Sequence, residues 1–150
     1  MEMTGQQLVP LPQQETWNAL NDPAVLKDCI PGCESIEAMG ENEYEVVLLA
    51  KVGPVSARFK GRMTVTEADP PRAYTLNFEG QGGAAGFAKG QASVALTPQD
   101  GGTLLAYTAR ANIGGKLAQV GSRLVDGVAK KLAGEFFSAF TERAGGTKTG

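Results

Sequence analysis

Residues 116–141 read Lys-Leu-Ala-Gln-Val-Gly-Ser-Arg-Leu-Val-Asp-Gly-Val-Ala-Lys-Lys-Leu-Ala-Gly-Glu-Phe-Phe-Ser-Ala-Phe-Thr, and no proline interrupts them. Apolar side chains recur at intervals of three or four, which places them on one face of a helix. They are Leu117, Val120, Leu124, Val128, Leu132, Phe136 and Phe140. The glycines at 121, 127 and 134 each cost the helix ~1 kcal/mol relative to alanine. The stretch therefore predicts one long amphipathic helix that must cover another apolar surface.

The residues before this helix predict that surface. Over 55–66 apolar and polar residues alternate, which is typical of an antiparallel strand with one buried face. The predicted inward residues of this and the neighbouring strands are Tyr44, Val46, Leu48, Ala50, Val52, Val55, Ala57, Phe59, Gly61, Met63, Val65, Tyr74, Leu76, Phe78, Ala92, Val94, Leu96, Leu105, Tyr107, Ala109, Ala111 and Ile113. Apolar Val47 and Leu49 also predict cover on both sides in the middle of their strand. Residues 100–102 (Asp-Gly-Gly) predict a hairpin turn.

The first thirty residues predict a strand and two short helices. Residues 2–9 form the strand, which the prolines at 10 and 12 end. A helix over 13–20 follows, and Asp22 with Pro23 predicts the cap and first turn of a second helix that runs to about Cys29. The fold class is α+β: a curved antiparallel sheet of about seven strands wrapped round the long C-terminal helix. We expect one domain over residues 1–142 and a flexible polar tail over 143–150.

Composition excludes several classes of protein. The 150 residues are 42% apolar and 20% charged, with a net charge of −2, which is typical of a globular domain and argues against nucleic-acid binding. No run of ~18 apolar residues and no basic-apolar leader is present, so we expect a cytoplasmic protein. Residues 1–45 hold nine acids and one base, a net of −8. This asymmetry predicts either attraction of a charged partner or only an uneven surface.

Several motifs resemble those of a known family. Val9-Pro10, Pro12, residues 16–23 (Thr-Trp-Asn-Ala-Leu-Asn-Asp-Pro), Leu26 and residues 30–32 (Ile-Pro-Gly) resemble the START-like helix-grip superfamily (SRPBCC, or Bet v 1-like). Five further segments resemble the carbon monoxide dehydrogenase G-subunit family: Cys-Ile-Pro-Gly-Cys-Glu-Ser at 29–35, Lys-Val-Gly-Pro-Val at 51–55, Phe-Lys-Gly at 59–61, Gly-Gly-Ala-Ala-Gly-Phe-Ala-Lys-Gly at 82–90, and 113–124 continued through Asp126-Gly127 and Lys130-Lys131. The resemblance covers residues 1 to about 142.

The resemblance implies a fold and a function. It implies a deep cavity between sheet and C-terminal helix, a quinone as the ligand, and service to a molybdenum-containing dehydrogenase that the protein couples to the membrane or respiratory chain. Longer members carry a C-terminal hydrophobic anchor. This chain stops eight residues after Glu142 without an apolar tail. We therefore expect at most peripheral contact with the inner face of the cell membrane.

The residues that could carry chemistry are few. There is no histidine, and Cys29 and Cys33 alone cannot complete a zinc site, so we expect no metal and two free thiols. Acids are absent from the predicted inward faces. Residues 80–90 are rich in glycine but lack the Lys-Ser/Thr ending of a phosphate loop. That segment predicts either a hairpin at the cavity mouth with Phe87 as a gate or a turn that needs positive φ.

The inward faces suggest a cavity. Small residues interrupt them, although a solidly packed core is the more common outcome. We expect the cavity to hold a quinone or lipid, with no covalent cofactor, and the hydroxyls of Tyr74 and Tyr107 to meet a quinone carbonyl. The predicted wall residues are Trp17, Leu26, Ile30, Val46, Leu48, Phe59, Met63, Tyr74, Leu76, Phe78, Phe87, Leu105, Tyr107, Val120, Leu124 and Val128.

Two alternatives to a non-catalytic carrier stay open. One is an enzyme of the polyketide cyclase/dehydrase type, and the other is an assembly or membrane-recruitment factor with a vestigial cavity. Arg58, Lys60 and Arg62 form an outward basic row that predicts either a docking patch for an acidic partner or anionic lipid, or ordinary surface charges.

Overall fold

A computed structural model describes the backbone of residues 1–149 and the side chains of residues 1–143. The elements in chain order are β1 (Glu2–Val9), α1 (Gln13–Leu20), α2 (Pro23–Cys29), β2 (Cys33–Gly40), β3 (Glu43–Val52), β4 (Val55–Asp69), β5 (Ala73–Gln81), a 3-10 turn (Gly83–Ala85), β6 (Phe87–Gln99), β7 (Gly102–Gly114), α3 (Lys116–Gln119) and α4 (Ser122–Thr149). The tail predicted over 143–150 lies almost wholly outside the described side chains, and its mobility stays a prediction.

The strands form one antiparallel sheet in the order β1-β7-β6-β5-β4-β3-β2. Hairpins join β2 to β7 in sequence, and β1 pairs with β7, which lies about a hundred residues later. The hairpin turn predicted over residues 100–102 is present as a two-residue loop, because Gly102 already belongs to β7, and Asp100 and Gly101 have the positive φ that such a loop requires, at 48° and 81°. The predicted seven-stranded helix-grip architecture is confirmed.

Burial follows the alternation predicted for β4. Phe59 and Val65 are buried, whereas Arg58 and Lys60 are exposed. The prediction that β3 is covered on both sides is wrong at Leu49, which is 50% exposed. The helices pack on the side of Val46 and Leu48, so Leu49 on the opposite side has no layer over it.

The predicted single C-terminal helix is broken. Gly121 has a φ of +100°, which only glycine adopts without strain, and it separates the short α3 from α4. Leu117 on α3 is 6% exposed and packs with Val52, Phe59 and Ala85. The break therefore turns α3 onto the β3–β4 hairpin and lets α4 take its own course over the sheet.

The apolar core consists of two separate clusters. The Phe140 cluster joins Val9, Leu20 and Leu105 with the C-terminal part of α4. The Phe59 cluster, built on Phe59 and Leu117, joins the β3–β4 hairpin, the 3-10 turn and α3. Several residues on the covered face of the sheet belong to neither cluster: Val46, Gly61, Met63, Phe78 and Ala92. The interior is thus packed at both ends and hollow between them.

The uneven charge of the sequence is largely paired within the fold. Of six ion pairs between described side chains, five join an acid in residues 1–45 to a base beyond them. Three of these five join β4 to β2 or β3, and another joins Asp28 of α2 to Arg143 of α4. The asymmetry along the chain therefore becomes local compensation on the surface.

Candidate functional site

The first cavity has a volume of about 250 Å³ and lies between α1, α2, the C-terminal half of α4 and the centre of the sheet. Because three tyrosines border it, we call it the tyrosine cavity. Its walls are Leu20, Asn21, Leu26, Ile30, Tyr44, Met63, Val65, Tyr74, Leu76, Ala92, Val94, Leu105, Tyr107, Phe136 and Phe137. The strand pleat sends every second residue of β4 to β7 into this space, and Ala92 leaves room for it.

The second cavity has a volume of about 350 Å³ and lies above the β3–β4 hairpin, so we call it the hairpin cavity. Its walls are Ile30, Val46, Leu48, Ala50, Val52, Phe59, Gly61, Arg62, Met63, Phe78, Glu79, Gly80, Ala88, Leu117 and Leu132. Leu132 is 38% exposed and lies where this cavity meets the surface. Apart from Arg62 and Glu79, whose side chains are exposed, the wall side chains are apolar.

Few polar side chains border the tyrosine cavity. Among the described residues, the hydroxyls of Tyr44, Tyr74 and Tyr107 have no hydrogen-bond partner. Every described side-chain nitrogen or oxygen that is fully enclosed does have one. None of the three hydroxyls is therefore fully enclosed, and that of Tyr107 lies over Gly5 of β1. Burial raises the pKa of Tyr74 well above its usual range, so it is a neutral donor. The side-chain amide nitrogen of Asn21 donates to the carbonyl of Trp17 at 3.0 Å.

Most predicted wall residues do border a cavity. These are Leu26, Ile30, Val46, Leu48, Phe59, Met63, Tyr74, Leu76, Phe78, Leu105 and Tyr107. They belong either to strands, in which the alternation of apolar and polar residues specified the covered face, or to the end of α2. Whether they contact a ligand stays a prediction.

Trp17 and Phe87 lie elsewhere. Trp17 packs in the Phe140 cluster, edge-on to Tyr74 with ring centroids 5.2 Å apart, so it supports the cavity wall from behind. Phe87 is 47% exposed, and its ring lies over the backbone of Gly114. The inward residues of β6 have even numbers, from Ala88 to Leu96, and Phe87 is therefore on the outer face. The predicted gate is wrong, and the alternative holds: Gly83 and Gly86 take positive φ in a tight turn.

The residues of the C-terminal helix that border the cavities lie about three turns beyond the predicted ones. Val120 and Val128 pack in the Phe59 cluster, and Leu124 is 39% exposed against Gly53. The helix borders the cavities instead through Leu132, Phe136 and Phe137. The first two are in the apolar stripe read from the sequence, but the stripe itself does not show where along it the hollow begins.

The basic row of β4 faces outward as expected, and each member has an acidic neighbour. Arg58 lies 2.5 Å from Glu34, Lys60 lies 3.6 Å from Glu45 and Arg62 lies 3.2 Å from Glu43. The hydrogen bond from Arg58 lowers the pKa of Glu34. These partners reduce the positive potential of the row, and a docking role for it stays a prediction.

The two cysteines are free thiols, as expected. Cys29 is 3% exposed, and burial raises its pKa and that of Cys33. Among the described residues no three acids or thiols come together as metal ligands would. The cavity walls therefore offer shape, apolar surface and tyrosine hydroxyls.

Comparison with family models identifies the chain. Residues 5–145 match the model described as the G subunit of carbon monoxide dehydrogenase (CoxG). The chain belongs to the CoxG family. A search of curated proteins found no match. A conserved protein from Geobacillus kaustophilus of solved structure is 34% identical, with a TM-score of 0.91 and coverage of 98% of this chain and 97% of that one.

More distant solved structures share the fold. The Zhui aromatase/cyclase from Streptomyces sp. R1128 is 16% identical, with a TM-score of 0.66 over 96% of this chain and 93% of that one. Ara h 8.0201 is 16% identical, with a TM-score of 0.64 over 96% and 97%. Within the described part of this CoxG family member, no helix has the length and hydropathy that crossing a bilayer requires.

Proposed function

We propose that this protein is a non-catalytic carrier that holds a quinone or other lipid-like molecule in the hollow between sheet and helices. The observation that supports it best is the gap between the two core clusters, where apolar side chains surround open space. A void of this kind costs stability at ~24 cal/mol per Å³ when it stays empty. A bound apolar molecule would offset that cost.

The walls suit an isoprenoid or acyl chain. Burying ~250 Å² of such a chain contributes about 6 kcal/mol at ~25 cal/mol per Å², before the cost of association. Taken alone, that gain corresponds to a Kd of about 40 μM, so tighter binding needs a longer buried tail or hydrogen bonds to the walls as well. The hydroxyls of Tyr74 and Tyr107 would donate to a quinone carbonyl, because neither has another partner among the described residues.

The family description supports an accessory role beside a molybdenum-containing carbon monoxide dehydrogenase-type enzyme. In this proposal the carrier exchanges quinone between that enzyme and the membrane or respiratory chain, from a cytoplasmic position with at most peripheral contact at the inner membrane face.

The two alternatives differ in what the cavity does. A cyclase-type enzyme, which the Zhui structure favours by fold alone, needs polar catalytic groups in the cavity. The tyrosine cavity offers only tyrosines and Asn21, and the hairpin cavity has Arg62 and Glu79 at its rim with exposed side chains.

Native mass spectrometry tests the proposal. Purified protein is incubated with a bacterial lipid extract, passed through a desalting column and sprayed intact. We expect a retained quinone or lipid of unchanged mass. A chemically altered ligand would instead indicate an enzyme, and an empty protein that still binds the dehydrogenase would indicate a recruitment factor.

Two variants of β6 provide the control. Ala92→Phe places a ring in the tyrosine cavity, whereas Ala95→Phe places the same ring on the exposed face three residues away. We expect loss of the retained ligand only with Ala92→Phe. Equal retention by the two variants would contradict the cavity assignment.

A further inference from the structure

The two cavities meet at one neck. Met63 of β4 and Ile30 at the end of α2 line both of them. Across the sheet Met63 is in register with Tyr44 on one side and Phe78 on the other. Tyr44 borders the tyrosine cavity and Phe78 borders the hairpin cavity. The covered face of the sheet therefore passes from one cavity to the other at Met63, and Ile30 closes this row from the helix side.

The same division runs along α4. Leu132 borders the hairpin cavity, and Phe136, about one helical turn later, borders the tyrosine cavity. The partition is thus about one side chain thick. The residue that the sheet contributes to this partition is Met63, whose unbranched side chain adapts its shape by rotation about three bonds. Rotation of Met63 would widen the passage on the sheet side without movement of the backbone.

The volumes also favour a joined site. Ligand cavities typically measure ~300–1,000 Å³. At about 250 Å³ the tyrosine cavity falls below that range, and at about 350 Å³ the hairpin cavity falls at its lower end. Together they lie well within it, and the combined space is elongated because its halves lie end to end along the sheet.

The two halves differ in chemistry. Three tyrosines border the tyrosine cavity, whereas no hydroxyl-bearing residue borders the hairpin cavity, whose walls are apolar side chains except at its exposed rim. We infer that one elongated amphipathic molecule occupies both, with its polar ring in the tyrosine cavity and its isoprenoid tail through the neck into the hairpin cavity, and that Met63 determines which tail lengths are accepted. This inference rests on the proposed function and adds the position and length of the ligand.

A homologous series of quinones tests it. All members have the same ring, and they carry from no isoprene units to several. Quenching of Trp17 measures binding, since this is the one tryptophan of the chain and its ring lies against Tyr74 in the wall. For the wild type we expect affinity to rise about tenfold per isoprene unit, equal to about 1.4 kcal/mol, as the tail buries apolar surface.

Met63→Phe should narrow the neck. We expect it to remove the gain in affinity that the longer members show over the quinone without a tail. Met39→Phe is the matched control, because Met39 is 53% exposed and lies on β2. Ile30→Phe narrows the neck from the opposite side and should act in the same way as Met63→Phe. Thermal unfolding identifies any variant that fails to fold, and the remaining neck variant then decides.

The outcomes are distinct. If Met63→Phe and Ile30→Phe give the same dependence on tail length as Met39→Phe, the neck has no role in selecting length and the inference is wrong. Equal weakening of every member of the series by a neck variant would also overturn it. If the wild type binds no member at all, the proposed function fails, and the assignment of the neck fails with it.

Discussion

Phe136 and Phe140 provide a direct test of the hollow interior. They lie one turn apart on α4, and their rings stack with centroids 5.7 Å apart. Phe140 is 1% exposed and is enclosed by the Phe140 cluster. Phe136 borders the tyrosine cavity, so part of its ring has no atoms against it. Replacement of each by alanine removes the same ring from a packed and a half-open environment.

The two replacements should therefore differ in cost. Phe140→Ala should lower the free energy of unfolding by ~3–5 kcal/mol, the usual cost of removing an enclosed phenyl ring. Phe136→Ala should cost about half as much, ~1.5–2.5 kcal/mol, because a surface that faces a void has already lost part of its dispersion contacts. In a chain of this length each kcal/mol lowers Tm by about 2–4 °C, so Phe140→Ala should lower it by ~10 °C.

Urea unfolding of delipidated protein, followed by far-ultraviolet circular dichroism, measures both values. The same proteins, titrated with a long-tailed quinone, should show weaker binding for Phe136→Ala and near wild-type affinity for folded Phe140→Ala. Equal destabilisation by the two replacements would mean that Phe136 is packed as tightly as Phe140. In that case the space beside it would not exist, and the carrier proposal would lose its physical basis.

Three other expectations concern single positions. Tyr107→Phe should weaken quinone binding about five- to tenfold through loss of one hydrogen bond, with an unchanged urea midpoint, as titration and unfolding will show. Gly61→Ala would place its Cβ 1.9 Å from a backbone oxygen of β5, whereas nothing lies within 4 Å of the Cβ of Gly80→Ala, so only the former should lower Tm strongly. If the two variants had the same Tm, the close packing of Gly61 against the backbone of β5 would be refuted. A thiol reagent should modify Cys33 before the more deeply buried Cys29. Since burial raises both pKa values, stability should fall as the pH rises above ~8.5, the pKa of an unfolded thiol.

The sheet could be predicted from the sequence because strand alternation specifies a face without reference to anything distant. Met63 and Tyr74 were assigned to the covered side by that rule alone, and they line a cavity. The helix could not be treated so simply. A period of 3.6 specifies which residues share a stripe, but the part of the stripe that meets packed atoms depends on where Gly121 breaks the helix and how α4 then crosses the sheet.

The neck was also beyond prediction from the sequence. Met63 is one inward residue among several in β4, and its distinction arises only because Ile30 faces it from another element. The misassignment of Phe87 has a similar cause. The turn at Gly83 and Gly86 determines which face of the sheet the first residue of β6 occupies. A glycine-rich segment has no alternation of apolar and polar residues from which that face can be predicted.

The order of the elements has a consequence for biosynthesis. All seven strands precede α4, which supplies the last wall of the hollow. A chain that has been synthesised through all seven strands therefore still has an incomplete wall, although α1 and α2 already precede the sheet and border part of the hollow.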